Sequence, residues 1–129
     1  MKIDHIGIWV RDLDKMTAFY TKYFKGVAGE KYHNPNKRFT SCFIGFPAGA
    51  RLELMHNPEI AQATLPGEVQ HPGYIHVSFS LGCENDVDWL TKNLAMDGFR
   101  VLDGPRRTGD GYYESLILDP EGNRVELTV

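Results

Sequence analysis

Two histidines and two glutamates occur at matched positions in the two halves of this 129-residue chain. The tetrapeptide H-I-G-I that begins at His5 is matched by H-V-S-F at His76, 71 residues later. The tetrapeptide R-L-E-L around Glu53 is matched by R-V-E-L around Glu126, 73 residues later. Two matches in the same order and with nearly equal spacing indicate a duplicated module.

The four side chains could together bind a metal ion. Two imidazole nitrogens and two carboxylate oxygens suit a first-row divalent ion such as Ni²⁺, Co²⁺, Mn²⁺, Fe²⁺ or Zn²⁺. Four protein ligands in a six-coordinate shell leave two positions for water or substrate, which is the open geometry of a catalytic site. The alternative is structural, because a single His or Glu on a strand usually binds no metal and Glu53 could pair with Arg51 at the surface. That alternative does not explain the repetition, so we favour one site with ligands His5, Glu53, His76 and Glu126.

The predicted strands and helices place these side chains on common faces. Hydrophobic spacing predicts, in chain order, a strand at 2–10, a helix at 13–25, strands at 27–33, 38–46 and 50–56, a strand at 74–81, a helix at 85–96, and strands at 99–103, 112–118 and 123–128. Side chains alternate along a strand, so each of the four residues lies opposite to the aliphatic residues of its own strand. The helices can cover the aliphatic faces, and the other faces then collect two imidazoles and two carboxylates.

The order β-α-β-β-β occurs twice, which predicts an α+β fold of two tandem modules within one domain of residues 1–129. Module one covers 1–57 and module two covers 73–129. The segment between them, 58–72, contains three prolines and little periodicity, so it is predicted to be a linker.

Composition excludes several classes of protein. The formal net charge is −3, with 42% hydrophobic and 24% charged residues, so no basic excess is available for nucleic acid. The longest apolar runs fall far short of the roughly 20 residues of a membrane-spanning helix. Asp4 and His5 interrupt the stretch where a signal peptide would be apolar, and Cys42 and Cys83 do not form a disulfide framework. We therefore expect a cytoplasmic protein whose partners include neither nucleic acid nor a membrane.

The motifs of the chain resemble those of the vicinal oxygen chelate (glyoxalase/bleomycin resistance/dioxygenase) superfamily and, within it, glyoxalase I. They are, in chain order, D-H-I-G-I-W-V-R-D-L-D-K, A-F-Y-T-K-Y-F, L-E-L, I-H-V-S-F-S and D-P-E-G-N-R-V-E-L. The resemblance implies two tandem βαβββ modules that form a cupped mixed sheet, with a metal ion in the cup. It also implies a homodimer whose sites are shared between the chains, with a small-molecule substrate.

Carried over residue by residue, the resemblance assigns roles to the repeated positions. His5, Glu53, His76 and Glu126 match the four residues that hold one divalent metal ion per site in glyoxalase I. Asn57 matches an Asn that contacts glutathione in that family. Glu126 would move a proton between adjacent carbons through an enediolate, and Glu53 would be the second carboxylate ligand or the complementary base.

One position departs from the family pattern. Trp9 stands where bacterial glyoxalase I has an Arg that binds the glutathione carboxylate, and an indole cannot donate bidentate hydrogen bonds. Arg11, two residues further along the predicted strand, is a candidate replacement. Trp9 could instead stack on an aromatic or apolar substrate, or fill the floor of the cup. The candidate substrate-binding residues are therefore Trp9, Arg11 and Asn57.

The resemblance favours a metal-dependent lyase or isomerase of the lactoylglutathione lyase type, acting on a hemithioacetal of a 2-oxoaldehyde. Two alternatives stay open at this point: an epimerase of acyl thioesters, and a metal-free protein that binds a hydrophobic ligand or drug. The complete set of metal ligands favours the enzyme.

Two further groups of residues are weaker candidates. Arg106 and Arg107 are predicted in a loop flanked by glycines, where they could clamp an anionic substrate or lie in a solvated turn. His33, His56 and His71 are predicted at the surface.

Overall fold

A computed structural model of the chain describes residues 1–60, 69–70 and 72–129. These residues form two compact units, Met1–Ala63 and Thr64–Val129, each with one α-helix packed against one sheet. The predicted α+β fold class, with two sheets and few helices, is confirmed. Most of the predicted linker, including His71, lies outside the described residues, and the module boundaries stay a prediction. No helix in the described ranges is long and apolar enough to cross a membrane.

The first unit has five strands around helix α1. Its elements are β1 (His5–Trp9), α1 (Leu13–Phe24), β2 (Val27–Ala28), β3 (Tyr32–Asn34), a 3-10 turn (Pro35–Lys37), β4 (Phe39–Gly45) and β5 (Arg51–His56). The sheet order is β1-β5-β4-β2, and β3 also pairs with β4. β1 and β5 are parallel, whereas the other pairings are antiparallel.

Helix α1 begins and ends where the sequence indicates. The Asp12 side chain caps it by accepting a hydrogen bond from the Lys15 N–H at 2.9 Å, which satisfies one of the free donors of the first turn. Gly26 follows the helix, where a Cβ would lie 2.5 Å from Ile44 Cγ2 and 2.9 Å from the Tyr20 carbonyl oxygen. Only glycine allows the chain to pass this close to the core.

The predicted strand at 27–33 is wrong in one respect, because it is two short strands. β2 pairs Val27 with Gly45, whereas β3 pairs Tyr32 with Ser41. The two registers against β4 differ by one residue, so the connecting residues accommodate an extra position as a β-bulge does. After the break, β3 pairs with the first residues of β4, and the 3-10 turn connects the two strands.

The second unit repeats the arrangement around helix α2. Its elements are β6 (His76–Ser80), α2 (Glu84–Met96), β7 (Val101–Arg107), β8 (Tyr113–Leu118) and β9 (Arg124–Thr128). The sheet order is β6-β9-β8-β7, with β6 parallel to β9. In both units the first strand therefore pairs in parallel with the last.

The predicted break at Gly104-Pro105 is also wrong, because β7 continues through it to Arg107. Gly104 has a φ of +77°, and a Cβ there would lie 2.5 Å from the Glu114 carbonyl oxygen. Register shifts against β8 absorb the irregular geometry, and β7 is an edge strand on which the missing N–H of Pro105 is tolerated. Arg106 and Arg107 consequently lie on a strand rather than in a loop.

Candidate active site

Each unit brings one of the predicted histidines to one of the predicted glutamates. His5 Nε2 lies 3.6 Å from Glu53 Oε2, and His76 Nε2 lies 3.5 Å from Glu126 Oε2. The pairs are alike because the strand registers are alike: Glu53 lies opposite Gly7, and Glu126 lies opposite Ser78. The side chains of Glu53 and Glu126 are 17% and 18% exposed, so both carboxylates are partly withdrawn from water.

The pairs lie on the helix-free face, by which we mean the face of each sheet opposite to its helix. Leu52 and Leu54 flank Glu53 and are buried, as are Val125 and Leu127 around Glu126. This confirms that the predicted alternation holds on β5 and β9. β1 differs, since Ile6 is exposed at the sheet edge rather than covered by α1.

The imidazole of His5 is held by an acidic neighbour. His5 Nδ1 lies 2.9 Å from Asp4 Oδ2, which also accepts a hydrogen bond from Arg51 Nη2 at 2.5 Å. The hydrogen bond with His5, and then that with Arg51, lowers the pKa of Asp4. An ionised Asp4 can only accept, so Nδ1 is the donor and Nε2 is the nitrogen that faces Glu53. The Phe43 ring meets the imidazole edge to face at 5.3 Å.

In the second unit the carboxylate is held instead. Ser78 Oγ donates to Glu126 Oε1 at 2.6 Å, which leaves Oε2 facing His76. The position of Ser78 corresponds to Gly7 in the first unit. A Cβ on Gly7 would lie 2.8 Å from Met55 Cε, so the Met55 methyl fills the space that a side chain would take. Ser78 is thus particular to the second pair.

A third carboxylate, Glu114 on β8, belongs to the same face of the second unit. Glu114 pairs with Thr128 on β9, one alternation away from the pairing of Leu116 with Glu126. Burial, and then the charge of Glu126, raises the pKa of Glu114. The sequence reasoning missed this residue, although the alternation of β8 could have placed it on the face of Glu126.

The first unit also contains a pocket of about 370 Å³. Its lining residues come from β1, β3, β4, the 3-10 turn and the end of β5: Trp9, Tyr32, Asn34, Lys37, Phe39 and Asn57. Two of the three predicted substrate-binding residues, Trp9 and Asn57, are among them. Trp9 lies on the helix-free face, two residues along β1 from Gly7, which is opposite Glu53.

The chain matches the model of the Glyoxalase/Bleomycin resistance protein/Dioxygenase superfamily over residues 2–127. It belongs to that superfamily. Lactoylglutathione lyase GLX1 of Arabidopsis thaliana is 27% identical over 127 residues, which are 95% of this chain and 42% of the plant protein. The uncharacterized protein YqjT of Bacillus subtilis (strain 168) is 26% identical over 133 residues, covering 95% of this chain and 94% of that protein. This chain thus spans less than half of the plant relative.

Solved structures of the superfamily show the same fold. The glyoxylase/bleomycin resistance protein/dioxygenase domain from Frankia sp. EAN1pec superimposes with a TM-score of 0.83. It is 19% identical to this chain and the match covers 100% of this chain and 97% of that domain. The resemblance to a glyoxalase I-like member of the superfamily is confirmed by these comparisons.

Arg11 is not among the residues that line the pocket, and its role as a substitute for the arginine of glyoxalase I stays a prediction. β1 ends at Trp9, and Arg11 is exposed in the bend that leads to α1. The alternation that placed Arg11 on the face of Trp9 therefore does not extend to it. The pocket is lined by the six other described residues.

Asn57 contributes to the pocket mainly by holding its wall. Its Nδ2 donates to the Lys37 carbonyl at 3.2 Å, and its Oδ1 accepts from the Glu59 N–H at 2.9 Å. These bonds connect the end of β5 to the 3-10 turn and leave one amide N–H for a ligand.

The loop predicted to contain Arg106 and Arg107 is instead part of strand β7, and both guanidinium groups have acidic partners. Arg106 is bonded to Asp103 through Nε at 2.8 Å and Nη2 at 2.5 Å, and this hydrogen bond raises the pKa of Arg106. Arg107 is bonded to Glu84 on α2 and packs its guanidinium 5.9 Å from the Tyr113 ring centre. Arg107 thus connects β7 to α2, whereas Arg106 is paired within its own strand.

The two described histidines outside the pairs, His33 and His56, have structural partners. His33 is exposed, as predicted, and its Nδ1 lies 2.9 Å from Thr40 Oγ1. His56 is half-buried, contrary to the prediction, with Nδ1 3.0 Å from the Val10 carbonyl oxygen. This bond secures the end of β5 to the chain as it leaves β1.

Proposed function

We propose that this member of the superfamily is a metal-dependent lyase or isomerase of the glyoxalase I type, which moves a proton next to a carbonyl group. The observation that carries the proposal is the repeated His–Glu pair, with nearly identical N–O distances of 3.6 and 3.5 Å. A salt bridge that only stabilised the sheet would not require the same residue types at the same register and on the same face in both units.

The chemistry of the donors fits a divalent metal ion. Within the residues that the structure describes, no group of three or more ligand-type side chains is assembled, and the donors come as one pair per unit. We propose that His5, Glu53, His76 and Glu126 together hold one ion, which Ni²⁺, Co²⁺, Mn²⁺, Fe²⁺ and Zn²⁺ all suit. When bound, the ion supplies a Lewis acid that stabilises the negative charge developing on the substrate oxygens.

The protein's own part in the reaction is the transfer of a proton. Glu126 takes it from one carbon and returns it to the neighbouring carbon, which a carboxylate near a polarised carbonyl can do. The hydrogen bond from Ser78 fixes Oε1 of Glu126, and Oε2 faces His76. Oε2 is therefore the oxygen that takes up and releases the proton. Glu53 is the second carboxylate ligand or the complementary base, and the bond to Asp4 orients the His5 ring so that Nε2 faces it.

The proposed substrate is a hemithioacetal of a 2-oxoaldehyde. The Arabidopsis relative is a lactoylglutathione lyase by name, and the ligand residues of this chain suit the same kind of proton transfer. An epimerase of acyl thioesters is the related alternative, and the two arginines that could serve its anionic substrate are paired with Asp103 and Glu84.

The test is the metal content of protein purified without chelator. About one divalent ion per chain is expected, because each chain supplies the four proposed ligands of one site. The affinity of such a site for metal depends on folding, which assembles the ligands. His76→Ala should lose the ion, whereas His33→Ala, which removes an exposed histidine outside the pairs, should retain it. A wild-type protein that stays metal-free after incubation with Ni²⁺, Mn²⁺ and Zn²⁺ would contradict the proposal. The protein would then be a binder of hydrophobic ligands, which is the second candidate that the aromatic pocket favours.

We also propose a cytoplasmic homodimer with sites shared between chains, and mixing two inactive variants tests the sharing. A dimer of one His5→Ala chain and one His76→Ala chain would contain one intact and one doubly broken site if each site uses two chains. It would bind one ion per dimer. If each site lies within one chain, both sites are broken and the mixed dimer binds none.

A further inference from the structure

We infer that the pocket of the first unit binds a planar aromatic group of the substrate that is neutral or negatively charged. Three of its six lining side chains are the aromatic rings of Trp9, Tyr32 and Phe39. Trp9 is 46% exposed and Tyr32 is 57% exposed, so two large rings of the pocket remain open to a ligand. Its volume of about 370 Å³ lies within the range of small-molecule sites, roughly 300–1,000 Å³.

The rings are positioned by strands rather than by a loose loop. Trp9 meets Phe39 nearly at right angles at 5.9 Å, and Tyr32 is tilted against Phe39 at 6.3 Å. The three residues lie on β1, β3 and β4, which are paired in one sheet. No two of these rings are stacked in parallel, so a planar group can enter and adopt the offset or edge-to-face contacts that aromatic rings prefer.

The polar lining determines the charge of the ligand. Asn34 Oδ1 accepts from the Lys37 N–H, and Asn57 Nδ2 donates to the Lys37 carbonyl, so both amides hold the turn that carries Lys37. Of the six lining residues Lys37 alone is charged, and no carboxylate accompanies it. A positive charge in the wall favours neutral and anionic ligands over cationic ones.

Trp9 of the pocket lies on the same face of β1 as the His5 of the proposed metal site, and to that extent the inference rests on the proposed function. Trp9 is two residues from Gly7, roughly 7 Å along the strand, and Gly7 is opposite Glu53. In this inference the ring of the substrate lies in the pocket and its 2-oxo group lies on the Gly7 side, next to the Met55 methyl that covers Gly7. The substrate class is therefore an aryl-substituted 2-oxo compound or its hemithioacetal, with the ring rather than a peptide thiol as the recognised part.

The two tryptophans of the chain allow a direct binding test. Trp89 is exposed on α2, so Trp89→Phe leaves Trp9 as the single indole reporter. Chelator-treated Trp89→Phe protein is titrated with mandelate and with lactate, which differ in phenyl against methyl, and with glutathione. Mandelate should change Trp9 fluorescence saturably, with a Kd at least about 10-fold below that of lactate, whereas glutathione should give no saturable change. Equal binding of mandelate and lactate, or a saturable response to glutathione alone, would overturn the inference.

Substitutions in the same background show whether the pocket is responsible. Tyr32→Ala should raise the Kd for mandelate about 3- to 10-fold, the typical effect of one aromatic contact. Tyr112→Ala removes an equally exposed ring from the second unit and should leave it unchanged. Lys37→Gln should weaken mandelate but not neutral benzyl alcohol. An unchanged Kd in Tyr32→Ala refutes the assignment to this pocket. Because no metal is present, these results are independent of the metal content that decides the proposed function.

Discussion

The two units hold equivalent His–Glu pairs, but they support opposite members of the pair. In the first unit Asp4 holds the imidazole of His5, and Gly7 gives Glu53 no hydroxyl partner. In the second unit the position of Gly7 is Ser78, which holds the carboxylate of Glu126. The two units therefore differ in which metal-ligand type is held by a hydrogen bond: the nitrogen donor in the first unit and the oxygen donor in the second. This division suits a first pair that anchors a metal ion and a second pair whose carboxylate transfers a proton.

The outer edges of the two sheets have diverged as well. In the first unit the register shift precedes β3 and the 3-10 turn, which contribute Tyr32, Asn34 and Lys37 to the aromatic pocket. In the second unit β7 runs through its bulge and is connected to α2 by the ion pair of Arg107 with Glu84, whereas Arg106 pairs with Asp103 within the strand. The outer strands of the first sheet thus line a pocket, whereas the outer strand of the second sheet is connected to helix α2.

Glutamine substitutions at the two carboxylates should break the comparison most strongly. Glu126→Gln removes the proposed proton carrier but keeps an oxygen donor, so we expect most of the metal to remain. Turnover of an aryl hemithioacetal should fall on the order of 10²- to 10⁴-fold. Glu53→Gln should cost less turnover because its carboxylate has no comparable hydroxyl partner. Metal content and kcat of both variants are the measurement, and full activity of Glu126→Gln would show that the base is wrongly assigned.

Asp4→Asn should show that the first pair is the anchor. An asparagine no longer fixes the proton on His5 Nδ1 by charge, and changes of this kind lower metal affinity about 10- to 100-fold. The matched position in the second unit is Ile75, so Ile75→Val is the control and should leave affinity unchanged. Titration of chelator-treated protein with Ni²⁺ measures both. Equal affinities of Asp4→Asn and the wild type would mean that the contact does not orient the ligand.

Ser78→Ala should have a smaller effect, mainly on the second pair. Loss of the hydroxyl leaves Glu126 Oε1 without its 2.6 Å bond, and we expect kcat to fall about 10-fold with little change in KM. Ser78→Thr keeps the hydroxyl and should recover most of the loss. Failure of Thr to recover activity where Ala loses it would indicate a packing role for Ser78 instead.

The parts of the site that were predictable depend on local periodicity. Glu53 and Glu126 could be placed on the helix-free faces because alternation needs only the residues of one strand. Alternation likewise places Ser78 on the face of His76, but its bond to Glu126 depends on the register between β6 and β9. Those strands are far apart in sequence, and nothing local sets their register.

The pocket was less accessible to sequence reasoning. Trp9 and Asn57 could be predicted because they stand at positions that contact glutathione in the family that the sequence resembles. Tyr32 and Phe39 match no such position. Their meeting depends on the one-residue register shift before β3, which a continuous predicted strand at 27–33 does not contain. Gly104-Pro105 misled in the opposite direction, because a turn signal can also mark a bulge within an edge strand.

The smallest expected effect is a difference in pH dependence between the units. Asp4 has a lowered pKa in the folded protein, so its contribution to stability is present above its unfolded value, about 4, and is lost as pH falls through the folded value. Glu114 has a raised pKa, so its contribution is present below its unfolded value and is lost as pH rises through the folded one. Asp4→Asn should therefore reduce the rise of the unfolding free energy with pH on the acid side of the profile. Glu114→Gln should reduce the fall of that free energy at higher pH.

Urea unfolding of chelator-treated protein between about pH 3 and 7 measures both slopes. For the partly exposed Glu114 the change should be only about a few tenths of a kcal/mol. Glu30→Gln, at an exposed carboxylate of the first unit, is the control and should leave the profile unchanged. If Asp4→Asn and Glu114→Gln altered the slopes with the same sign, the two carboxylates would not differ as the folded structure implies. The contrast between an anchoring first pair and a proton-carrying second pair would then lose its electrostatic support.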